Sequence, residues 1–158
     1  MRTPLHSDGS KPCLRRFLGA ARASPDWYDP ARVPGRVLVV DDDDSIRQIV
    51  SLVLSDEGYH VMSAAHGQAA LDLLDQFVPD IILLDLRMPV MDGWEFARIY
   101  RELPPPHAPI VAFVAALNAA QDSAAVHAHG ILPKPFDLED LLVTVSATLA
   151  SAKLASAT

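Results

Sequence analysis

Residues 81–93 read IILLDLRMPVMDG, and this stretch indicates both a fold class and a candidate site. The four consecutive branched apolar residues at 81–84 are typical of a strand that is buried on both faces of a parallel sheet. Asp85 follows them directly, and a turn containing Pro89 comes next. Ligands of open α/β sheets bind at the carboxyl ends of the strands, so Asp85 is a candidate for a chemically active carboxylate. The alternative is that Asp85 only caps a turn, which is a common role for aspartate.

The composition is that of one globular domain with additional residues. The chain has 158 residues, of which 50% are apolar, and 21% are charged. No apolar run approaches the roughly 20 residues that a membrane span needs, so we expect no membrane partner. The single cysteine, Cys13, excludes an intramolecular disulfide and is compatible with a reducing compartment. We therefore expect a cytoplasmic protein.

Charge is distributed unevenly along the chain. Residues 1–36 contain seven Lys or Arg and three Asp or Glu, whereas residues 37–158 contain six and seventeen. The acidic part is a poor match for nucleic acid, so we expect no direct nucleic-acid partner. Residues 1–35 hold five of the thirteen prolines and little apolar periodicity, and we expect them to form a poorly ordered basic extension. We assign residues 36–151 to one folded domain and residues 152–158 to a C-terminal tail.

After this extension, segments with the spacing of strands and of helices alternate. Strands are predicted at residues 37–40, 60–64, 81–84, 109–114 and 130–133. A helix is predicted after each strand, because apolar residues recur there with helical spacing. Asp92 and Asp137 are predicted N-caps, and Gly58 is predicted to end the first helix. The fourth helix, over about residues 119–128, is rich in alanine and weakly amphipathic.

Alternating strands and helices predict an α/β fold, namely a doubly wound five-stranded parallel sheet with helices on both faces. At this size the flavodoxin-like strand order 2-1-3-4-5 is the natural choice, with its switch point between the first and third strands. Asp41 and Asp42 follow the first strand and Asp85 follows the third. We therefore expect these three carboxylates side by side, with Lys134 from the end of the fifth strand on the same face.

Three neighbouring carboxylates repel one another and need a positive partner. Mg²⁺ meets this need, because it binds oxygen ligands and is usually held by one or two carboxylates together with water or phosphate oxygens. We expect Asp41, Asp42 and Asp85 to bind Mg²⁺ rather than zinc, since no His or Cys lies nearby in the sequence. Asp43 and Asp44 are interpreted as a charged helix start, where the helix macrodipole favours carboxylates.

Three motifs resemble the receiver domain of bacterial two-component response regulators: VLVVDDDDSIRQIV from residue 37, IILLDLRMPVMDG from residue 81, and LPKPF from residue 132. The resemblance covers about residues 36–151, and the motifs occur in the family's order at the predicted strand ends. It implies phosphoryl transfer from a histidine kinase or a phosphotransfer protein, and a downstream effector protein that senses the change. It therefore implies a phosphoacceptor signalling protein, not an enzyme that acts on other substrates.

The resemblance also implies roles for single residues. Asp85 is the expected phosphoacceptor, and Lys134 is expected to contact a phosphoryl oxygen as a point charge. The backbone N–H of Ala115 is expected to donate to the phosphoryl group. The expected Mg²⁺ ligands are Asp41, Asp42, Asp85 and the backbone carbonyl of Arg87.

Two positions depart from the family's pattern. The fourth strand normally ends in Thr or Ser followed by Ala, and here Val114 precedes Ala115. The fifth strand normally has Tyr or Phe three residues before the lysine, and here that residue is Ile131. Together these positions form the usual relay from the phosphate to the outer face. Val114 and Ile131 are therefore atypical switch positions.

Three functional hypotheses follow. The first is a single-domain response regulator that signals through a partner protein, since no DNA-binding or catalytic pattern follows residue 149. The second is a pseudo-receiver, a protein-interaction adaptor that acts independently of phosphate. The third is a Mg²⁺-dependent phosphatase with an aspartyl nucleophile, although Arg87 occupies the position where such enzymes often have a second acid. A homodimer is also compatible with the sequence.

Overall fold

The computed structural model describes residues 35–157, and the prediction made for residues 1–34 lies outside this range. Strands and helices alternate along the described chain. Their order is β1 (Arg36–Val40), α1 (Asp44–Asp56), β2 (His60–Ala64), α2 (Gly67–Leu73), β3 (Ile81–Asp85), α3 (Gly93–Glu102), β4 (Ile110–Ala115), a 3₁₀ turn (Ala116–Asn118), α4 (Ala119–Val126), β5 (Gly130–Lys134) and α5 (Leu138–Ser156).

All five strands are parallel, and their order in the sheet is β2-β1-β3-β4-β5. This order confirms the predicted doubly wound fold. In the register of the central strands, Val40 lies opposite Leu84, and Asp85 lies opposite Phe113. The carboxyl ends of β1, β3 and β4 are therefore level with one another, and the residues that follow them share one edge of the sheet.

Alternate residues of each central strand point to opposite faces of the sheet, as the two-residue period of a strand requires. Leu38 and Val40 pack in one apolar cluster with Phe96 of α3. Val37 and Val39 pack in a second cluster with residues of α1 and α5. Every residue of β3 is buried, because β3 lies in the middle of the sheet with helices on both faces.

Aspartate side chains cap the N-termini of three helices, and a glycine follows the first helix. The carboxylates of Asp92 and Asp137 accept hydrogen bonds from the backbone three residues later, which confirms both predicted N-caps. Asp43 is also an N-cap, since its carboxylate accepts from the backbone N–H groups of Ser45 and Ile46. Gly58 has a φ of 91°, and this left-handed conformation lets the chain turn sharply after α1.

Several helix ends differ from the prediction. The apolar spacing through Phe77 predicts that the second helix ends just before Pro79, but α2 ends at Leu73, and a short turn leads from there to the buried Phe77. α4 ends at Val126, two residues earlier than expected, because His127 adopts a left-handed conformation with a φ of 48°. α5 continues to Ser156, so the boundary expected at residue 151 falls inside this helix. None of the helices within residues 35–157 has the length and apolar character needed to cross a membrane.

β5 forms one edge of the sheet, and two prolines in and after this strand lack the backbone N–H group. Pro133 lies within the strand opposite Val114, and Pro135 follows the strand. The bond between Lys134 and Pro135 is cis. Proline is compatible with this position because an edge strand has a partner on one side only.

Candidate functional site

The ends of β1 and β3 bring the carboxylates of Asp41, Asp42 and Asp85 together. One oxygen from each carboxylate lies within 4.8 Å of the other two. Asp41 is fully buried and Asp85 is 6% exposed, whereas Asp42 is exposed to solvent. The cluster therefore reaches solvent at Asp42.

Lys134 places a positive charge against this cluster. Its Nζ donates a hydrogen bond of 2.8 Å to Oδ2 of Asp41 and lies 3.5 Å from Oδ2 of Asp85. The ammonium group also lies 5.7 Å from the ring centroid of Phe113, which faces Asp85 in the sheet register. One lysine at the end of β5 thus contacts carboxylates at the carboxyl ends of β1 and β3.

The environment of Asp85 shifts its proton equilibrium. Burial disfavours the charged carboxylate and is the largest influence, and the negative charge of Asp41 acts in the same direction. The charge of Lys134 and the backbone N–H of Arg87 oppose them. The net effect raises the pKa of Asp85 from 3.8 to about 6. The negative charge of Asp85 is therefore costly in this site, and an additional cation would relieve it.

The ammonium group of Lys134 is held in its charged form. Burial alone would lower its pKa, but the hydrogen bond and charge of Asp41, together with the charge of Asp85, outweigh burial. The pKa of Lys134 is consequently raised above its ordinary value of 10.5. The site keeps one fixed positive charge at neutral pH.

The turn between β1 and α1 is fixed by hydrogen bonds on both sides of Asp41. Its backbone N–H donates to the carbonyl of Ala64 at 3.2 Å, and its Oδ1 accepts from the N–H of Asp43 at 2.9 Å. Its carbonyl accepts from Nη1 of Arg47 at 2.7 Å, and Arg47 also pairs with Asp44. Sequence reasoning missed this role of Arg47, and the three-residue spacing from Asp44 would have indicated only the ion pair.

The loop after β3 closes tightly on the backbone of Asp85. The backbone N–H of Arg87 donates to Oδ1 of Asp85 at 3.2 Å, and the N–H of Gly93 donates to the carbonyl of Leu86 at 3.0 Å. A Cβ atom on Gly93 would lie 2.5 Å from the carbonyl oxygen of Asp85, so the close approach of α3 requires glycine here. The guanidinium carbon of Arg87 lies 5.8 Å from the ring centroid of Trp94, in the first turn of α3.

The family model described as the response regulator receiver domain matches residues 37–146 of this chain. The chain belongs to the response regulator receiver family. The acid cluster and the lysine lie within the matched residues of this receiver domain. Receiver domains act in phosphorylation-based two-component signalling, together with histidine kinases and effectors, and many of them bind Mg²⁺ at acidic residues.

Relatives of this receiver domain include regulators of different sizes. The response regulator MprA of Mycolicibacterium vanbaalenii is 40% identical over 119 residues, which cover 74% of this chain and 51% of MprA. The DNA-binding transcriptional regulator NtrC of Proteus hauseri is 36% identical over 70% of this chain and 24% of NtrC. The crystal structure of the chemotaxis response regulator CheY4 of Vibrio cholerae is 39% identical, with a TM-score of 0.63, over 72% of this chain and 97% of CheY4. The chain thus spans about half the length of MprA and nearly the whole of CheY4.

The two atypical positions of this receiver domain have different surroundings. Val114 is 2% exposed, and its side chain packs in the apolar cluster on the side of α3. Ile131 is 39% exposed on β5, where it lies opposite Ala112. Ala115 is exposed and lies opposite Lys134 in the sheet register. The fold therefore gathers the acids and Lys134 at one point and leaves Ile131 outside that cluster.

Proposed function

We propose that Asp85 accepts a phosphoryl group from the phosphohistidine of a histidine kinase or of a phosphotransfer protein. The observation that carries this proposal is the convergence of Asp85, two further carboxylates and the ammonium of Lys134 at the ends of β1, β3 and β5. A buried carboxylate beside a fixed positive charge can act as a nucleophile while its product, an anionic acyl phosphate, is stabilised.

The transfer exchanges one bond for another. An oxygen of the Asp85 carboxylate attacks phosphorus and forms a P–O bond, while the P–N bond of the phosphohistidine breaks. The imidazole nitrogen leaves with the electron pair of that bond and takes up a proton. Lys134 lies 3.5 Å from Oδ2 of Asp85, from where its charge offsets the negative charge of the transferring group. Attack of water on the acyl phosphate then returns Asp85 and inorganic phosphate.

The acid cluster also fits a magnesium ion. Three carboxylate oxygens within 4.8 Å of one another match the oxygen ligands that Mg²⁺ prefers, and the raised pKa of Asp85 indicates a local need for positive charge. Asp41, Asp42, Asp85 and the carbonyl of Arg87 would hold the ion. It would neutralise negative charge on the phosphoryl oxygens.

Phosphorylation by a small acyl phosphate tests the role of Asp85 without knowledge of the kinase. Intact-mass spectrometry should detect one added phosphoryl group on the wild-type protein and none on Asp85→Asn. Asp75→Asn removes the same charge from an exposed position in the turn after α2 and should leave the labelling unchanged. Equal labelling of Asp85→Asn and the wild type would show that another residue is the acceptor.

Fluorescence of Trp94 tests the metal site. In a Trp27→Phe background Trp94 is the remaining tryptophan, and it lies against Arg87 at the rim of the site. Three carboxylates leave octahedral positions for water, so we expect weak Mg²⁺ binding that Asp42→Asn and Asp85→Asn weaken at least tenfold. Asp75→Asn serves again as the control. Unchanged affinity in both site variants would refute the assignment.

A pseudo-receiver that acts without phosphate is the second candidate function, and Val114 is the observation that favours it. A valine offers no hydroxyl to a phosphoryl oxygen, and a hydrogen bond to a charged group contributes about 1.5 to 3 kcal/mol. Modification of Asp85 could then shift the active population about tenfold less than in a receiver with a hydroxyl. If this second candidate holds, Val114→Thr enlarges the shifts of backbone NMR signals in β4 and β5 when beryllofluoride and Mg²⁺ are added. A full, saturating shift in the wild type would exclude this second candidate.

We further propose that the protein acts in the cytoplasm as a single-domain regulator that signals through a separate effector protein. The extensive coverage of CheY4 supports this proposal, because a single receiver of similar size aligns over nearly its whole length. The net charge of −7 makes direct binding to nucleic acid unfavourable. The phosphatase hypothesis has no support from the site, because the residue two positions after Asp85 is the cation Arg87.

A further inference from the structure

We propose that Arg87 is a second cationic ligand of the phosphoryl group in this protein. When Asp85 is modified, the guanidinium of Arg87 leaves the ring of Trp94 and donates to a phosphoryl oxygen, which replaces the hydrogen bond that Val114 cannot supply. This inference rests on the proposed role of Asp85 as the phosphoacceptor.

Arg87 lies within reach of the modified carboxylate. Its backbone nitrogen is 3.2 Å from Oδ1 of Asp85. The N–Cα bond adds about 1.5 Å, so the Cα of Arg87 lies no more than about 4.7 Å from that oxygen. An extended arginine side chain is longer than this distance. The side chain is therefore long enough for its guanidinium to contact a phosphoryl oxygen after a change between staggered rotamers, while the backbone hydrogen bond stays in place.

The present position of the guanidinium is held weakly. Its carbon lies 5.8 Å from the centroid of Trp94, which is near the limit for a cation–π contact, and Arg87 is exposed to solvent. Its side chain forms no ion pair with any residue in the range 35–157. A charge-assisted hydrogen bond to phosphate is stronger than an exposed cation–π contact, so the guanidinium binds the phosphoryl group in preference to the ring of Trp94.

Lys134 and Val114 do not supply all the hydrogen-bond donors that a phosphoryl group at Asp85 can accept. Lys134 already donates to Oδ2 of Asp41, so its charge is shared between that carboxylate and the phosphoryl group. Val114 is buried and apolar and contributes no donor. The planar fork of an arginine presents paired N–H groups to phosphate oxygens, a geometry that a lysine ammonium lacks.

Beryllofluoride, used as the phosphoryl analogue at saturating Mg²⁺, tests the proposal, and fluorine NMR measures its affinity. Arg87→Met should weaken binding about tenfold, and Arg87→Lys should have an intermediate effect because it keeps the charge and loses the fork. Arg98→Met is the matched control. Arg98 is an exposed arginine of α3 that pairs with Glu102, and its removal should change the affinity less than twofold.

A double-mutant cycle with Val114→Thr tests the claim that Arg87 replaces the missing hydroxyl. In the Val114→Thr background, Arg87→Met should weaken beryllofluoride binding about threefold or less, because the new hydroxyl supplies a donor. In the Trp27→Phe background, beryllofluoride should also change the emission of Trp94, and Arg87→Met should abolish most of this change. A merely structural role of Arg87 would instead lower the urea midpoint of unfolding, which we expect to stay unchanged.

The outcomes separate this proposal from the proposed function. If the wild type binds beryllofluoride and Arg87→Met binds it equally well, Arg87 is not a ligand, and the role of Asp85 stands. If Arg87→Met loses tenfold with and without Val114→Thr, the replacement of the hydroxyl is refuted. If the wild type does not bind beryllofluoride at saturating Mg²⁺, both the role of Asp85 and that of Arg87 are refuted.

Discussion

Replacing Asp85 with asparagine should stabilise the Mg²⁺-free protein at neutral pH. The folded site raises the pKa of this carboxyl from 3.8 to about 6, chiefly through burial. The folded state therefore binds a proton more tightly than the unfolded chain, and this contribution to stability is lost as the pH rises through about 6. The full difference corresponds to about 3 kcal/mol, at about 1.4 kcal/mol per pKa unit. Asp85→Asn removes the charge and should recover up to this amount at pH 7.5.

Comparing Asp85→Asn with the wild type across pH removes the contribution of groups that do not interact with Asp85. We expect the difference in unfolding free energy between Asp85→Asn and the wild type to grow by about 2 kcal/mol between pH 4.5 and pH 7.5. Urea titrations followed by circular dichroism, in the presence of a chelator, measure this difference at each pH. Asp75→Asn, which removes a carboxylate from an exposed position, is the matched control.

Two results would refute the reasoning. A difference that is constant across this pH range would show that Asp85 has no unusual proton affinity in the folded protein. A loss of stability in Asp85→Asn at pH 7.5 would show that the ion pair with Lys134 outweighs burial. Added Mg²⁺ should stabilise the wild type by mass action and should have little effect on Asp85→Asn.

Three further perturbations have expected outcomes. Gly93→Ala should lower the unfolding free energy by about 3 kcal/mol or more in urea titrations, because the added Cβ would overlap the backbone that follows β3. Lys134→Met should lower the unfolding free energy by about 3 kcal/mol at pH 7.5, since it leaves the fully buried carboxylate of Asp41 without its cation. Unchanged stability would contradict this expectation. Removal of residues 1–34 should shift the melting temperature by less than about 3 °C, which corresponds to roughly 0.5 kcal/mol of unfolding free energy. A larger fall would show that the extension stabilises the domain.

The strand order could be predicted because the strands carry a strong local signal. The four-residue apolar runs at 81–84 and 37–40 are each bounded by residues that favour turns, and each observed strand is one residue longer than its run. Once β1 and β3 are neighbours, the positions of Asp41 and Asp85 follow from the parallel register. The sequence was therefore sufficient to predict that the acid residues lie at one edge of the sheet.

Helix ends were harder to predict because distant contacts determine them. α4 has only one fully buried residue, Val126, so its sequence carries little periodic signal. Its end depends on the guanidinium of Arg101, which donates to the carbonyl of Val126, and on the hydrogen bonds between His129 and Ile110 of the neighbouring strand. Such contacts join residues that are far apart in the chain, and the local spacing of apolar residues does not contain them.

The same limit applies within the site. Lys134 was expected near the phosphoryl position. Its hydrogen bond to Asp41 was not predicted, because it joins residues 93 positions apart. The contact between Arg87 and Trp94 depends on how the loop after β3 folds back on α3. Both contacts require coordinates, because side-chain distances across a loop do not follow from residue spacing.

The prolines of β5 have a consequence for association between molecules. An open sheet ends in strands whose unpaired backbone groups can pair with a strand of another molecule. Pro133, the fourth residue of β5, removes one N–H group from this strand, and Pro135 removes another directly after the strand. A foreign strand could not form a continuous ladder along this edge. This side of the sheet is therefore protected against the stacking of chains into fibrils at high concentration.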